Sequence, residues 1–350
     1  MTTYYYKREI GAYMIRSRIL NVFRGAFTRK RQFETSKMQI NTIRIDASSI
    51  CQLRCTGCGF QKSNGRELGY GYLTLEHFVD FIDKNPQITR VELSNYGEIF
   101  LNPDLIEIMA YAHKKGVALE AAMGVNFNTV SEDQMQALVK YEFRFLSLSI
   151  DGASQESYSK YRIGGDFDRV IANVKRLQDL KKERGVIYPK LQWQFVPNEH
   201  NEDDVLQAKA IAAKLGIPIV FKLNFMTSYV PKDPERLKTE TGLTEVTRQE
   251  YLEKYKIPYL NDDCLQVFCD PQFNWDGMLL GCCRNEWAFF KSNLFVDGLE
   301  KCLQDEDFQR MRAILKAKNP SQNQMEGIPC RNCSIWKSRH KYGKTIHPGI

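Results

Sequence analysis

The sequence lacks the features that mark several classes of protein. It has no run of about 18 apolar residues, so it predicts no membrane-spanning helix. The apolar stretch near its start is interrupted by Arg16 and Arg18, which excludes a secretory signal. It also has no short-period repeat and no low-complexity linker. With 43% hydrophobic and 26% charged residues in 350, it is typical of a globular protein of one to three domains with a large core.

A basic surface spread over the whole protein is also missing. Residues 1–40 hold nine basic and two acidic residues, residues 331–350 hold five basic and no acidic ones, and the rest holds 35 basic and 40 acidic. We therefore expect no nucleic-acid partner.

In the first segment, residues 1–40, an apolar stripe beside arginines predicts a helix. This helix either packs on the rest of the protein or contacts a membrane surface or polyanion. The stripe consists of Ile15, Ile19, Val22, Phe23 and Ala26.

Cysteine is absent between Cys58 and Cys264. The ten cysteines fall instead into a group of three and a group of seven, which does not suit a disulfide framework. We therefore expect a reducing, cytoplasmic compartment in which thiolates bind metal. The two groups are Cys51, Cys55 and Cys58, and then Cys264, Cys269, Cys282, Cys283, Cys302, Cys330 and Cys333.

A repeated strand-then-helix pattern runs from residue 42 to about 225. Short β-branched or aromatic runs predict six strands, and 3.6-residue periodicity predicts five helices between them. Six such units imply an α/β fold with a partial (β/α)6 TIM-like barrel, whose site lies at the carboxyl ends of the strands. The predicted strands are Thr42–Ser48, Arg90–Asn95, Ala118–Met123, Phe145–Asp151, Leu191–Val196 and Ile219–Leu223, and the helices are about 75–84, 103–115, 131–141, 167–184 and 203–215.

The end of this alternation divides the chain. After residue 225 a Pro-, Lys- and Glu-rich stretch leads into the cysteine-rich end. We predict a basic N-terminal helical extension over residues 1–40, a barrel over 41–230 and a small cysteine-rich C-terminal domain over 231–350.

The first cysteine group forms a Cys-x3-Cys-x2-Cys motif directly after the first predicted strand. Its members are Cys51, Cys55 and Cys58. Three thiolates on a short loop can bind three irons of a 4Fe-4S cluster and leave the fourth iron open to a non-protein ligand. A zinc site on the same cysteines needs a fourth ligand, and the nearest histidine is His77. Zinc binding and plain buried thiols remain the alternatives.

This motif and two later segments resemble the radical S-adenosylmethionine (SAM) superfamily. Residues 92–103 are similar to the family's second-strand segment, which implies that Gly97 and Glu98 contact the methionine amino group of SAM. In such enzymes a one-electron reduction splits SAM to a 5′-deoxyadenosyl radical, which abstracts hydrogen from a substrate.

A fourth-strand segment extends the resemblance. Residues 147–152, followed by Tyr161-Arg162, are similar to the family segment in which a serine contacts the SAM ribose and an arginine its carboxylate. The resemblance therefore assigns these roles to Ser149 and Arg162. The family's aromatic residue before the third cysteine is Gly57 here, and Phe60 is expected to contact adenine instead.

The second cysteine group combines a predicted hairpin with a Cys-x2-Cys pair. The Asp-Gly pair at 276–277 is typical of a type I′ turn, which would place Cys264 and Cys282 on opposite arms. With Cys330 and Cys333 they make four thiolates suited to zinc or to a fully ligated 4Fe-4S cluster. The pattern is similar to the SPASM/twitch extension of radical SAM enzymes. That resemblance implies one auxiliary 4Fe-4S cluster on these four cysteines, and hence an auxiliary iron-sulfur domain.

Other side chains are candidates for the chemical step. Cys269 and Cys283 are candidate hydrogen-atom donors to a substrate radical, with apolar packing as the alternative for both and for Cys302. The candidate general bases near strand ends are Lys222, His200 and Glu199.

The resemblance leaves several functions open. We expect oxidation or epimerisation of a carbohydrate-like or cyclitol small molecule, because the 40 residues before the barrel are too few for a separate peptide-recognition domain. A maturase of a ribosomal peptide or protein side chain is the alternative within the superfamily. A non-catalytic iron-sulfur electron-transfer protein is the alternative outside it. An enzyme of this kind implies a flavodoxin- or ferredoxin-type electron donor as partner.

Overall fold

The structure is a computed structural model that describes residues 40–59, 67–226, 228–317 and 320–342. The described residues form one sheet of eight strands: β1 (Thr42–Ile45), β2 (Arg90–Glu92), β3 (Ala118–Val125), β4 (Phe145–Ser149), β5 (Lys190–Phe195), β6 (Ile219–Phe221), β7 (Gln272–Phe273) and β8 (Leu279–Gly281). They pair in the order β6-β5-β4-β3-β2-β1-β7-β8. All neighbours are parallel except β7 and β8, which are antiparallel.

Helices separate the first six strands and continue beyond them. In chain order they are α1 (Leu75–Lys84), α2 (Leu105–Lys115), α3 (Glu132–Lys140), α4 (Gln155–Tyr161), α5 (Phe167–Glu183), α6 (Val205–Leu215), α7 (Pro234–Thr241), α8 (Arg248–Tyr255), α9 (Gln266–Cys269), α10 (Leu294–Asp297), α11 (Leu299–Leu303), α12 (Glu306–Lys316) and α13 (Ser334–Tyr342).

The predicted partial (β/α)6 barrel is confirmed. All six predicted strands and all five predicted helices are present, and Ser131 caps α3 while Gly116 and Gly216 end α2 and α6. Most strands end earlier than predicted because the chain bends into loops at their carboxyl ends. Helix α4 was not predicted because it has only seven residues, too few to display a helical period.

The inner face of the sheet is polar. Strand register places Arg44, Glu92 and Glu120 side by side on β1, β2 and β3, with Gln272 next to Arg44 on β7. All four side chains are buried. Because side chains alternate between the two faces of a strand, their apolar neighbours pack instead against the helices. The barrel interior is therefore a polar chamber surrounded by an apolar shell.

The predicted hairpin between Cys264 and Cys282 is wrong in its first arm. Cys264 lies in a 3-10 helix (Asn261–Leu265) that continues into α9, and pairing is limited to the short strands β7 and β8. Of the two predicted turn residues only Gly277 has a positive φ, and its N–H donates to the Asn274 carbonyl at 3.0 Å. A type I′ turn needs positive φ at both positions, so the turn is of another kind.

The hairpin is short because β7 also pairs with the end of β1. Its residues Gln272 and Phe273 align with Arg44 and Ile45, so β7 and β8 extend the barrel sheet by two strands.

The division of the chain at residue 230 stays a prediction. Residues 1–39 of the predicted N-terminal extension lie outside the described residues. No helix in the described part of the chain is long and apolar enough to cross a membrane.

The loops after β1 and β2 pass very close together at Gly97. This residue has φ +75°, and a Cβ placed there would overlap the Ser48 carbonyl oxygen and lie 2.7 Å from the Ser49 carbonyl carbon. The next N–H, that of Glu98, donates to the Ile50 carbonyl at 2.8 Å. Glycine is therefore required both for the left-handed conformation and for the close approach of the backbones.

Substitution of Gly97 by alanine should reveal this close approach. Gly116 provides a matched control, because its φ is +70° but nothing lies within 4 Å of an added Cβ. We expect Gly116→Ala to cost about 1 kcal/mol for the left-handed conformation alone. Gly97→Ala must also displace a backbone carbonyl and should cost roughly 3 kcal/mol or more. Urea unfolding of anaerobically purified protein measures both, and equal losses would contradict the role assigned to Gly97.

Candidate functional site

A loop with three cysteines follows β1 at the open edge of the barrel. Cys51, Cys55 and Cys58 are all partly exposed, and none of them forms a disulfide. The Cys58 N–H donates to the Cys55 carbonyl at 3.1 Å, and the Thr56 N–H donates to the Tyr161 carbonyl at 3.2 Å. The loop is thus folded on itself and fixed to the end of α4.

The first of these thiols has polar neighbours in Asn126, directly after β3, and in the adjacent Gln52. The Asn126 Nδ2 lies 3.6 Å from the Cys51 Sγ, and Gln52 Nε2 donates to Asn126 Oδ1 at 2.8 Å. Burial, together with the nearby charge of Glu98, raises the pKa of Cys51 to about 12. A thiolate at this position therefore needs a positive partner, which a metal would supply.

Glu98 places a carboxylate next to Cys51. Its side chain is almost fully buried and accepts the Asn126 N–H at 2.6 Å and the Phe100 N–H at 3.3 Å. Burial raises the pKa of Glu98 to about 7, while these backbone N–H groups act in the opposite direction. The carboxylate is therefore held in one position at the carboxyl end of β2.

Arg162 approaches the same loop from the end of α4. Its Nη1 lies 3.4 Å from the Cys55 Sγ, while its Nε donates at 2.8 Å to Asp151 Oδ2. Asp151 is fully buried and accepts the Val196 N–H at 2.7 Å through its other oxygen. Burial alone would lower the pKa of Arg162, but the Asp151 carboxylate raises it above its usual value. Asp151 thus fixes a permanent cation beside the cysteine loop.

Ser149 and two aromatic rings complete this edge. The Ser149 hydroxyl on β4 touches the backbone at Gly124, where any side chain would overlap it. At Gly57, an added Cβ would lie 2.6 Å from both the Phe225 ring and the Tyr161 hydroxyl. The predicted adenine contact, Phe60, lies outside the described residues.

Four cysteines of the second group line a single cavity. The structure brings Cys264 together with Cys282, Cys330 and Cys333, although Cys264 comes from a helix rather than from a strand. Burial raises the pKa of Cys264 to about 12. Most of the remaining wall is apolar, and it includes Val267, Leu280, Met311, Leu315, Ile335 and Trp336.

Comparison with known families agrees with this geometry. The model described as the Radical SAM superfamily matches residues 45–192, which include the three-cysteine loop, Glu98 and Arg162. This stretch is a radical SAM domain. Its fold is the partial barrel described above.

Two curated relatives are similar over different lengths. The AdoMet-dependent heme synthase of Methanosarcina barkeri is 26% identical over 168 residues, which cover 47% of this chain and 45% of the relative. The tungsten-containing aldehyde ferredoxin oxidoreductase cofactor-modifying protein of Pyrococcus furiosus is 20% identical over 285 residues, 77% of each chain. The chain thus spans less than half of the heme synthase.

A solved structure shares the fold over a longer stretch. SuiB from Streptococcus suis, bound to S-adenosylmethionine, superposes with a TM-score of 0.58 at 12% identity. The match covers 81% of this chain and 68% of SuiB. At this identity the likeness shows the common fold alone.

The residues of the radical SAM domain fit the cofactors of its superfamily, a 4Fe-4S cluster and SAM. The donors are three soft thiols on one loop, with a fixed carboxylate and a fixed guanidinium beside them. Among the described residues, no three Cys, His, Asp or Glu side chains converge on a position for one ion. A cluster has no such requirement, since each thiolate would bind a different iron.

The remaining cysteines differ in accessibility. Cys269 is exposed, whereas Cys283 and Cys302 are buried. The Gln266 amide contacts both the side chain and the backbone of Cys283. Its Nε2 lies 3.3 Å from the Sγ, and its Oε1 accepts the Cys283 N–H at 2.8 Å. The Tyr96 hydroxyl also donates to the Cys283 carbonyl at 2.8 Å. Cys283 therefore connects the second-strand segment of the radical SAM domain with the cavity.

The three candidate bases lie in two places. Lys222 follows β6 and donates to Gln194 inside the barrel. His200 and Glu199 form a partly exposed pair, with 3.7 Å between His200 Nε2 and Glu199 Oε1. Only Lys222 among them faces the polar chamber.

Sequence reasoning assigned no role to several residues at this edge. Asp151 and Asn126 each follow a strand directly, and that position was the available signal. Arg248 donates to the Leu223 carbonyl just after β6 but is far from that strand in sequence, and Arg284 follows the end of β8. Nothing in their local sequence distinguishes them from surface arginines.

Loss of the Asp151 charge should destabilise the domain. In Asp151→Asn the buried Arg162 guanidinium loses its carboxylate, which we expect to cost about 3 kcal/mol. The control is Glu156→Gln on α4, whose exposed partner is Lys160, and it should leave the free energy of unfolding essentially unchanged. Urea unfolding under anaerobic conditions gives both values. Similar small losses in the two variants would show that Asp151 does not hold Arg162.

Proposed function

We propose that the protein is a radical SAM enzyme that oxidises or epimerises a carbohydrate-like or cyclitol small molecule. One observation carries the proposal. Three thiols, the Glu98 carboxylate and the Arg162 guanidinium meet at the carboxyl-end edge of the parallel sheet. When bound, the cluster and SAM supply the reductive cleavage that yields the 5′-deoxyadenosyl radical.

The chain's own residues bind and orient the reactants. Cys51, Cys55 and Cys58 would hold three irons. Glu98 would accept the SAM ammonium group and Arg162 its carboxylate, because both charges are already fixed by buried partners. The Ser149 hydroxyl would contact the ribose. Phe225 and Tyr161, which pack on the cysteine loop, offer aromatic surface for the adenine.

The polar barrel interior supports a hydroxylated substrate. Ser147 and Gln194 face each other across β4 and β5, with 3.5 Å between the Oγ and Oε1 atoms. Lys222 donates to the same Gln194, and Gln192 precedes it on the same face of β5. Amide, hydroxyl and ammonium groups pair with sugar hydroxyls, whereas an apolar substrate would leave them unsatisfied. Lys222 is also positioned to act as a general base.

A second 4Fe-4S cluster belongs to the proposal. The four thiols on one cavity wall, Cys264, Cys282, Cys330 and Cys333, would satisfy all four irons of a closed cluster. Such a cluster would accept the electron that a substrate radical loses on oxidation. The first electron would come from a flavodoxin- or ferredoxin-type donor.

Epimerisation would require a hydrogen-atom donor instead of an electron acceptor. Cys283 suits this role better than Cys269, because it lies between the radical SAM domain and the cavity. The Cys269 thiol is exposed and lies near Arg312 on α12.

Peptide modification is the alternative outcome. SuiB, which has the same fold, was solved bound to its precursor peptide SuiA. The fold therefore does not decide between a small molecule and a peptide.

Removal of cluster ligands tests the cofactor assignment. Anaerobically reconstituted wild-type protein should hold about eight irons. Cys55→Ala should lower this to about four and abolish 5′-deoxyadenosine formation after dithionite reduction. Cys330→Ala should also lower the iron content to about four but leave SAM cleavage. Cys302→Ala, at a buried thiol outside both sites, is the control and should keep all eight.

The outcomes separate the competing functions. Failure of reduced wild-type protein to form 5′-deoxyadenosine would favour the electron-transfer protein. An unchanged iron content in Cys330→Ala would refute the auxiliary cluster.

A deuterium-transfer screen tests the substrate class. Extract from cells grown on deuterated medium is separated by ultrafiltration into small molecules and peptides, and each fraction is incubated with the reduced enzyme. Deuterium should enter 5′-deoxyadenosine from the small-molecule fraction. Transfer from the larger fraction that is lost on protease treatment would instead identify a peptide substrate.

A further inference from the structure

One carboxylate at the mouth of the barrel is surrounded by an excess of cations. Asp263 is partly buried and precedes the first cysteine of the cavity. Burial raises its pKa, although four positive charges around it act in the opposite direction. In order of their effect these are Arg284, Arg44, Arg248 and Lys222.

Two of the four cations have other partners. Arg44 lies deeper in the barrel, and its Nε is 2.7 Å from the Asp270 carboxylate. Lys222 donates to the Gln194 amide oxygen. Arg248 and Arg284 therefore account for the excess of charge.

The Arg248 guanidinium has more N–H donors than hydrogen bonds. Its Nε and Nη2 both donate to the Leu223 carbonyl at 3.3 Å, which leaves three N–H groups with no hydrogen-bond partner among the described residues. Its guanidinium lies over the Phe225 and Tyr259 rings, 5.8 Å and 5.4 Å from their centroids. Burial lowers the pKa of Arg248 to about 10, and repulsion from Arg284 contributes. The group is thus a positioned cation that forms no ion pair with the residues that the structure describes.

Arg284 is the second unpaired cation. It follows Cys283, lines the four-cysteine cavity and forms no hydrogen bond or ion pair with the residues that the structure describes. Glu286 is the other acidic side chain that senses its charge.

Two side chains that neighbour these arginines pack on either side of the third cysteine of the loop. Phe225, which stacks on Arg248, packs against Gly57. Glu286 packs against Gly59, where an added Cβ would lie 2.7 Å from its Oε2. Gly57 and Gly59 flank Cys58, so a group bound between the arginines would lie beside the loop that would hold the cluster and SAM.

We propose that Arg248 and Arg284 bind an oxyanion of the substrate, a phosphate or a carboxylate, at the mouth of the barrel. Guanidinium groups donate in pairs to such planar or tetrahedral oxyanions, and a partly desolvated guanidinium gains most from this contact. The inference rests on the proposed function and deepens it. The substrate is then an acidic, carbohydrate-like molecule whose reacting carbon is positioned by its charged group.

Binding of simple anions to the reconstituted holoprotein tests the site. With SAM present and without oxygen, calorimetry measures the affinity for inorganic phosphate and, separately, for succinate. We expect one of the two to bind, and the preferred probe distinguishes a phosphate from a carboxylate. Arg248→Gln should weaken that binding tenfold or more, and Arg248→Lys by less, since lysine keeps the charge but loses the paired donors.

Arg312 provides the matched control. Its Nε donates to the Val267 carbonyl at 2.8 Å, and its guanidinium lies 4.4 Å from the Phe308 ring centroid on α12. Arg312 therefore has a carbonyl contact and an aromatic contact like those of Arg248, but it lies on α12 rather than at the proposed anion site. Arg312→Gln should leave the anion affinity unchanged.

Further readouts separate the possible failures. If neither probe binds wild-type protein, or if Arg248→Gln binds as tightly, the oxyanion site is refuted. If Arg248→Gln loses SAM affinity in parallel, Arg248 belongs to the SAM site and the inference is also wrong. If Arg284→Gln loses irons but keeps the anion affinity, Arg284 serves the cavity and the two-arginine site is refuted. Anion binding that depends on Arg248, in a protein that forms no 5′-deoxyadenosine, would refute the proposed function and leave the oxyanion site standing.

Discussion

The candidate site depends on a close approach of two backbones. At Gly97 the loop after β2 touches the chain at Ser48, and the Glu98 N–H bonds the Ile50 carbonyl immediately before Cys51. Parallel strands deliver their loops to the same edge of a sheet, but they do not set the separation of those loops. That separation is set at Gly97, because a residue without a side chain lets the two backbones come into contact. The contact holds the Glu98 carboxylate and the cysteine loop in one rigid unit.

The charges around this unit are positioned before any ligand binds. Glu98 is held by backbone N–H groups, and Arg162 by the fully buried Asp151. Water relaxes around a charge, whereas these groups cannot, so little reorganisation accompanies binding. The same principle applies to Arg248, whose rings and single carbonyl contact orient it without neutralising it. The mouth of the barrel thus combines fixed cations with fixed anions at short range.

Much of the fold could be predicted from the sequence, because the regular spacing of apolar residues in a strand or helix indicates which of its faces is buried. The three-cysteine loop was also predictable from its spacing, and the role of Glu98 from the resemblance of its segment to the radical SAM superfamily. The path of the chain around Cys264 could not be predicted. It depends on the pairing of β7 with β1, which joins distant parts of the sequence and leaves no local pattern. Arg248 and Arg284 were missed for a similar reason. Their significance comes from each other and from Asp263, and these three residues meet only in the folded chain.

The pairing of β7 with β1 has a consequence for the integrity of the barrel. Six parallel strands leave an open barrel with two edges, and one of these edges would be β1, the strand that leads into the cysteine loop. An uncovered edge strand exposes unpaired N–H and C=O groups and invites pairing with other chains. The cysteine-rich region covers this edge with its own hairpin. It therefore acts as a shield for the catalytic half, and separating the two at residue 230 would leave a barrel prone to aggregation.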